Sequence, residues 1–289
     1  MFRTCFTNVG DILDKETVEE FLSSFDYADT TKDSYRRVLV KLPADPAFLR
    51  AADLVKFVSR EGWGSSQRYT ALCACRAFLR WLCGASHPAL SARVKRIPTA
   101  PQPRLSAEQV AALIDSFDPS TVAGCRDRAL AAVALDCNLR VTELCHLEAG
   151  NVYLEGGKLF ALTKGGQWLW KTFSEVTADF VRSWLEVRSP ALGVSALFIT
   201  FHHANIGRPL TREGIQGIMK RWGKKVGFHI SPHMFRRSYA TLSTLNGAPE
   251  NVVMVGGGWK STRMVQHYIG DLAVETTRPY LPMSKLPKK

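Results

Sequence analysis

Through the first hundred residues, apolar positions recur three and four apart, the period of helices that bury one face. The segments DKETVEEFLSSF (14–25), TKDSYRRVLVKL (31–42) and AADLVKFVSREG (51–62) all read this way. Asp and Thr stand at the starts of the first two, and Gly62 closes the third. The longest segment, SSQRYTALCACRAFLRWLCG (65–84), turns Ala71, Leu72, Cys75, Phe78, Leu79 and Leu82 inward and stops at Gly84. Arg68, Arg76 and Arg80 fall near its other side. Such a stripe suits a helix lying along a polyanion and equally suits a solvated face.

The periodicity breaks at HPALSARVKRIPTAPQPRLSAEQV (87–110), where four prolines among basic residues predict a stiff, extended linker. Ser106 with Gln109 three residues later forms a capping-box pattern that opens a new helix in LSAEQVAALIDSF. The chain therefore divides into a helical domain at 1–97, a linker at 98–104 and a second domain at 105–289. The second domain starts helical through CRDRALAAVALDCNLRVTELCHL. It then alternates through NVYLEGG and GKLFALTKGGQWLWKTFSEV, which predict a hairpin or three-stranded antiparallel sheet with a Lys-Gly-Gly turn. Helices resume at TADFVRSWLEVRS. The expected class is mainly α with one small sheet.

Composition narrows the partner. The 289 residues carry a net charge of +12, and from 204 to 289 there are fourteen Lys and Arg against four Asp and Glu. That imbalance predicts a polyanionic ligand. No apolar run reaches the length of a membrane span, and MFRTCFTNVGDILDKE does not read as a signal peptide. The expected setting is cytoplasmic and nucleoid-associated, with no membrane partner. The seven cysteines form no CxxC cluster with matching ligands, so reduced, mostly buried thiols are expected, with no metal and no cofactor.

The stretch ISPHMFRRSYATLSTLNG (230–247) carries the sharpest chemical signal. Ser231 is a plausible N-cap, Pro232 suits the first helical position and Gly247 a left-handed stop. Met234, Tyr239, Leu242 and Leu245 form the apolar stripe. His233 and Arg236 share one face of the first turn, at the positive end of the helix dipole, an arrangement that favours a bound anion. Taken alone, the stretch fits as well a packed histidine beside two solvated arginines, Arg236 and Arg237.

Further motifs remove that ambiguity. RVTEL contains Arg140 and Glu143, TKGG contains Lys164, HMFR contains His233 and Arg236, GGW contains Trp259, and QHYI contains Tyr268 nine residues later. Each alone has an ordinary explanation as a surface charge, loop lysine or core aromatic. The ordered set resembles the tyrosine recombinase (integrase) family, in its short two-domain Xer-like and Cre-like form. TKDSYRRVL and RYTALCACRAFLRWLCG resemble that family's helical core-binding domain, so the likeness spans nearly the whole chain.

The resemblance implies a C-shaped clamp around DNA, built from a helical core-binding domain and an α-rich catalytic domain. It implies a homotetramer on double-stranded DNA with a site of two inverted half-sites. Tyr268 would attack the scissile phosphate, leaving a 3′-phosphotyrosyl bond and a free 5′-hydroxyl, with exchange through a Holliday junction. Arg140 and Arg236 would hold the non-bridging oxygens, and His233 would donate to one or help deprotonate Tyr268. Trp259 can offer an indole N–H and packing, and Glu143 would hold Arg140 or His233. Lys164 is the general-acid candidate, with Lys171 a less favoured stand-in, because KGGQWLWKTF lacks the second basic pair that relatives often carry. Arg68, Arg76, Arg80, Lys95, Arg96, Arg237 and Lys260 are candidate DNA contacts. Two alternatives use the same residues: a type IB topoisomerase-like nicking-closing enzyme, and a catalytically silent DNA-binding accessory protein. Beyond Tyr268, three prolines predict a short helix through Thr277 and then an extended tail.

Overall fold

The structure is a computed structural model that describes residues 14–42, 45–95, 102–163, 166–188, 193–201, 206–269 and 272. The chain forms two compact units, Met1–Ala100 and Pro101–Lys289.

In the first unit, α1 (Lys15–Ser23), α2 (Asp29–Leu39), α3 (Ala51–Val58) and α4 (Ser65–Cys83) surround one core. Asp14 accepts from the Glu16 amide and so caps α1, while Gly84 ends α4 in the left-handed region with φ 91°. Phe21, Leu72, Cys75, Phe78 and Leu79 are buried as the helical period predicts, while Leu82 is only half-buried at the rim. The Phe21 ring meets Phe78 edge-on at 5.4 Å, which locks α1 against α4.

The second unit is built around α6 (Val122–Asp136), an alanine-rich helix buried on most sides. Ser106 and Gln109 form the capping box of α5 (Ala107–Asp115). After α6 the chain turns at Asn138, whose φ is 51°, and a five-residue helix, α7 (Val141–Cys145), begins behind Arg140. Strands β1 (Val152–Tyr153), β2 (Lys158–Thr163) and β3 (Gln167–Thr172) make an antiparallel sheet in the order β1-β2-β3. Leu159 pairs with Lys171, and Ala161 with Leu169, on the face turned to the core. Phe160, Trp168 and Trp170 point the other way, the Phe160 ring stacked on Trp168 at 5.0 Å and tilted against Trp170 at 4.8 Å. This reverses ordinary patterning: the indoles are exposed and a lysine is inside.

Helix α8 (Glu175–Val187) is anchored by Asp136, whose carboxylate accepts from the Ser174 amide and hydroxyl and from the Thr177 hydroxyl. Helix α9 (Arg212–Val226) is tied to α6 by the Trp222 indole, which donates to Asp127 at 2.7 Å. Three short helices complete the described chain: α10 (Pro232–Leu245), α11 (Glu250–Gly257) and α12 (Thr262–Ile269).

Two local expectations are corrected, and one alternative reading is excluded. Ser231 precedes α10 but makes no side-chain cap bond, and Pro232, which lacks an amide hydrogen, supplies the clean start instead. Leu245 is half-exposed in the last turn, and the buried position that completes the stripe is Phe235. His233 is exposed, so it is not a packed core histidine. The segment through Thr277 lies outside the described residues. Among the described residues, six cysteines are free, with Cys75, Cys125 and Cys137 buried, and no helix is long and apolar enough to cross a membrane.

Candidate active site

Arg140 sits at the N-cap of α7, and its backbone amide donates to Glu143 Oε2 at 2.8 Å. The same carboxylate accepts from the Arg140 guanidinium at 2.8 Å, and Glu143 is almost fully buried whereas Arg140 is about one-third exposed. Glu143 therefore fixes the arginine and leaves part of its donor fork facing outward.

Arg236 begins the second turn of α10 and is 4% exposed. Its guanidinium donates to the Asn138 carbonyl oxygen and lies 5.4 Å from the centre of the Trp259 ring. Burial, then the Arg140 charge, pull its pKa down to about 10, which marks a cation held without enough negative charge around it.

Trp259 belongs to a satellite core with Ala240, Val253 and Val265, which joins α10, α11 and α12. Its ring is buried, yet among the described residues its Nε1 has no acceptor. A buried indole N–H without an acceptor costs free energy unless a ligand oxygen meets it. Val265 anchors α12, and Tyr268, one turn later, lies half-buried with its ring 5.3 Å from that of Trp259.

Lys171 was the less favoured lysine by sequence. It is 4% exposed, and its Nζ donates to the Gly256 carbonyl at 2.7 Å. Burial first, and the Arg236 charge second, bring its pKa down to about 8. Arg140, Glu143, Lys171, Arg236, Trp259 and Lys260 all line one cleft of about 540 Å³. Cationic donors around a cavity of that size make a site for an anion with room for the groups attached to it.

Of the described motif residues, His233 and Tyr268 are not among those that line the cleft. His233 is exposed on α10, and partial burial with the charges of Arg237, Arg236, Arg140 and Arg212 lowers its pKa. Lys164 lies outside the described residues, as does Arg96. Of the candidate DNA contacts, Arg68 donates to the Trp63 carbonyl and Arg76 bonds doubly to Leu90, at 3.1 and 2.6 Å. Those guanidiniums serve the first unit's own backbone, which the helical wheel alone does not reveal. Arg80 and Lys95 are exposed, Lys260 borders the cleft, and Arg237 is half-buried against Pro103. Among the described residues no His, Cys, Asp or Glu group is arranged to hold a metal.

Sequence reasoning missed Asn138 and demoted Lys171. Period-two counting back from Ala161 and Leu159 would have placed Lys171 on the inner face once the strand register was known. No comparable signal marked Asn138.

Comparison with known proteins gives the family and the fold. A family model described as the phage integrase family matches residues 103–273. The chain is 30% identical over 233 residues to tyrosine recombinase XerC of Vibrio campbellii, covering 76% of this chain and 68% of that protein. It is 26% identical over 288 residues to tyrosine recombinase XerD of Listeria innocua, covering 95% and 90%. The fold is similar to that of the Tn1549 transposon integrase in complex with transposon right end DNA, with TM-score 0.71, 14% identity and 91% and 98% of the two chains covered. It is also similar to XerH recombinase bound to a palindromic difH substrate, with TM-score 0.70, 17% identity and 98% and 92% covered.

Proposed function

The chain belongs to the phage integrase family, the tyrosine recombinases, and from that premise we propose that it cuts and rejoins double-stranded DNA through a covalent tyrosine intermediate. The observation that carries the reading is the convergence of Arg140, Arg236, Lys171 and the Trp259 indole, unpartnered among the described residues, on one cleft, with the Tyr268 ring tilted against that of Trp259.

Breaking a phosphodiester reversibly, without an energy source, requires a nucleophile that stores the bond as an ester. The Tyr268 hydroxyl attacks phosphorus, the bond to the 5′-oxygen breaks, and the phosphate stays on the 3′ end as a phosphotyrosyl ester. Negative charge grows on the non-bridging oxygens, where the two guanidiniums and the Trp259 N–H act as donors. Donors fixed in advance in this way contribute roughly 3 to 4 kcal/mol each, by analogy with oxyanion holes. His233, whose pKa is lowered by partial burial and then by its arginine neighbours, can accept the phenol proton or donate to a phosphate oxygen. The leaving 5′-oxygen takes a proton from a lysine. Lys164 is the motif candidate, and Lys171 is the lysine whose buried ammonium lines the cleft with a pKa near the pH of use.

Exchange between two duplexes then proceeds through a Holliday junction in a homotetramer on paired inverted half-sites, with the first unit as core-binding domain. Selection of bound sites from random DNA, followed by trapping on a duplex nicked near the mapped cut, tests the reading. A covalent adduct excludes the silent accessory protein. Joining of strands from two different duplexes separates recombination from nicking and closing.

A further inference from the structure

Asn138 is a fully buried polar residue that none of the proposed chemical steps uses. Among the described residues it is the one non-glycine in the left-handed region, with φ 51°. Asparagine tolerates that conformation better than most residues, but glycine tolerates it best. The backbone alone therefore gives no reason for a side chain at this place.

The side chain makes a long-range contact. Asn138 Nδ2 donates to the Gly257 carbonyl at 2.9 Å, and Asn138's own carbonyl accepts from Arg236. Gly257 is the last residue of α11, next to the left-handed Gly258 and two residues before Trp259. A carbonyl at the end of a helix has no partner within the helix, so an outside donor there fixes where the helix stops. The approach is close: a Cβ on Gly257 would stand 2.8 Å from Asn138 Nδ2 and 2.2 Å from the Trp259 ring. One residue thus grips both an arginine of the anion site and the turn from which Trp259 and the Tyr268 helix depart.

Resting on the recombinase reading, we propose that Asn138 is a positioning residue: its side-chain amide sets the tyrosine-bearing segment at a fixed place relative to the arginines. The preceding residue, Cys137, is buried, and Arg140 follows two positions later, so the link runs through a rigid piece of chain. A nucleophile must approach phosphorus opposite the leaving oxygen while the arginines hold the other oxygens. Slack between the two segments therefore costs rate and leaves affinity unchanged.

The variants Asn138→Gly and Asn138→Asp test this. Glycine keeps the left-handed turn and the carbonyl that Arg236 uses, and removes only the amide. Aspartate keeps the shape and replaces the donor with a carboxylate facing a carbonyl. On a nicked suicide duplex carrying the selected site, N138G should form its covalent adduct roughly 10- to 100-fold more slowly, with affinity within about twofold of wild type. N138D should be slower still. A 5′-phosphorothiolate should not restore N138G, because the placement of the nucleophile is at fault.

A purely structural asparagine predicts the opposite, with N138G as fast as wild type or faster and no penalty peculiar to N138D. Hydrogen exchange without DNA gives a second reading. The Gly258 and Trp259 amides donate back to Val255 and Met254, and both should lose protection in N138G. Wild-type rates of attachment, or unchanged protection of those amides, would overturn the role. Absence of any adduct from the wild-type protein would overturn the recombinase reading and this role with it, whereas loss of rate in N138G alone supports both.

Discussion

The phenol ring of Tyr268 leans on the indole of Trp259, with centroids 5.3 Å apart and planes inclined by 37°. The contact joins the proposed nucleophile to a residue whose one side-chain polar atom, Nε1, is buried without an acceptor among the described residues. It separates two roles that one substitution at each site can resolve. Tyr268→Phe keeps the ring contact and loses the hydroxyl, so covalent attachment should vanish while site binding stays nearly intact, as gel-shift and adduct assays would show. An adduct from that variant would move the nucleophile elsewhere, with Tyr280 the next residue to test.

Trp259→Phe keeps most of the packing and removes the donor. Attachment should slow by about 100- to 1,000-fold, in line with the loss of one preorganised hydrogen bond, with little change in thermal stability. A large fall in melting temperature instead would mean that the indole serves the satellite core more than the reaction.

The lysines divide by leaving group. If Lys171 protonates the 5′-oxygen, Lys171→Ala should slow cleavage of a normal duplex by about 100-fold or more. It should slow cleavage of a 5′-phosphorothiolate far less, since sulfur leaves without a proton. Lys164→Ala should then be nearly neutral by the same comparison, and the reverse result would return the role to the motif lysine. The rate of the wild-type enzyme should fall as pH rises through about 8, where Lys171 gives up its proton.

Burial of Lys171 also leaves a mark on stability. Its pKa is lowered from 10.5 to about 8, so between those values the unfolded chain binds more protons than the folded one. Stability from this group therefore rises as pH climbs from about 8 towards 10.5, and below 8 the cost of the buried charge is fully present. Denaturant titrations at several pH values should show Lys171→Met lacking that rise, with a difference of up to about 3 kcal/mol.

In the first unit, Arg76, engaged by the backbone, and the exposed Arg80 should behave differently. Arg76→Ala removes two bonds to the Leu90 carbonyl and should destabilise the unit by about 1 to 2 kcal/mol. Arg80→Ala should leave stability unchanged, and if Arg80 meets phosphate it should reduce the salt slope of DNA binding by about one unit or less.

Much of this was legible where the local signal and the final structure share a cause. The periods of α1 to α4, the capping box at Ser106, and the glycine stop at Gly84 are decided by neighbouring residues, and neighbours are what a sequence displays. The helix at Pro232 was placed correctly, but its capping was not, since a serine at the N-cap position need not turn its hydroxyl to the amides. Arg68 and Arg76 looked like spare charges because the carbonyls that accept their hydrogen bonds belong to Trp63 and to a residue fourteen positions away. Asn138 was invisible for the same reason, its partner lying 119 residues downstream.

The hairpin of β2 and β3 carries a consequence for folding. By its own pattern it would prefer a slip of one residue, which would bury Trp168 and Trp170 and release Lys171 to water. The native pairing opposes that preference, so the hairpin is locally frustrated, and contacts made elsewhere in the domain must hold it in place. The Gly256 carbonyl that accepts from Lys171 is one such contact. The strand that delivers an ammonium to the cleft is therefore held in register by the rest of its domain rather than by its own pattern, and a substitution that frees the Gly256 carbonyl loosens the pairing as well as the cleft.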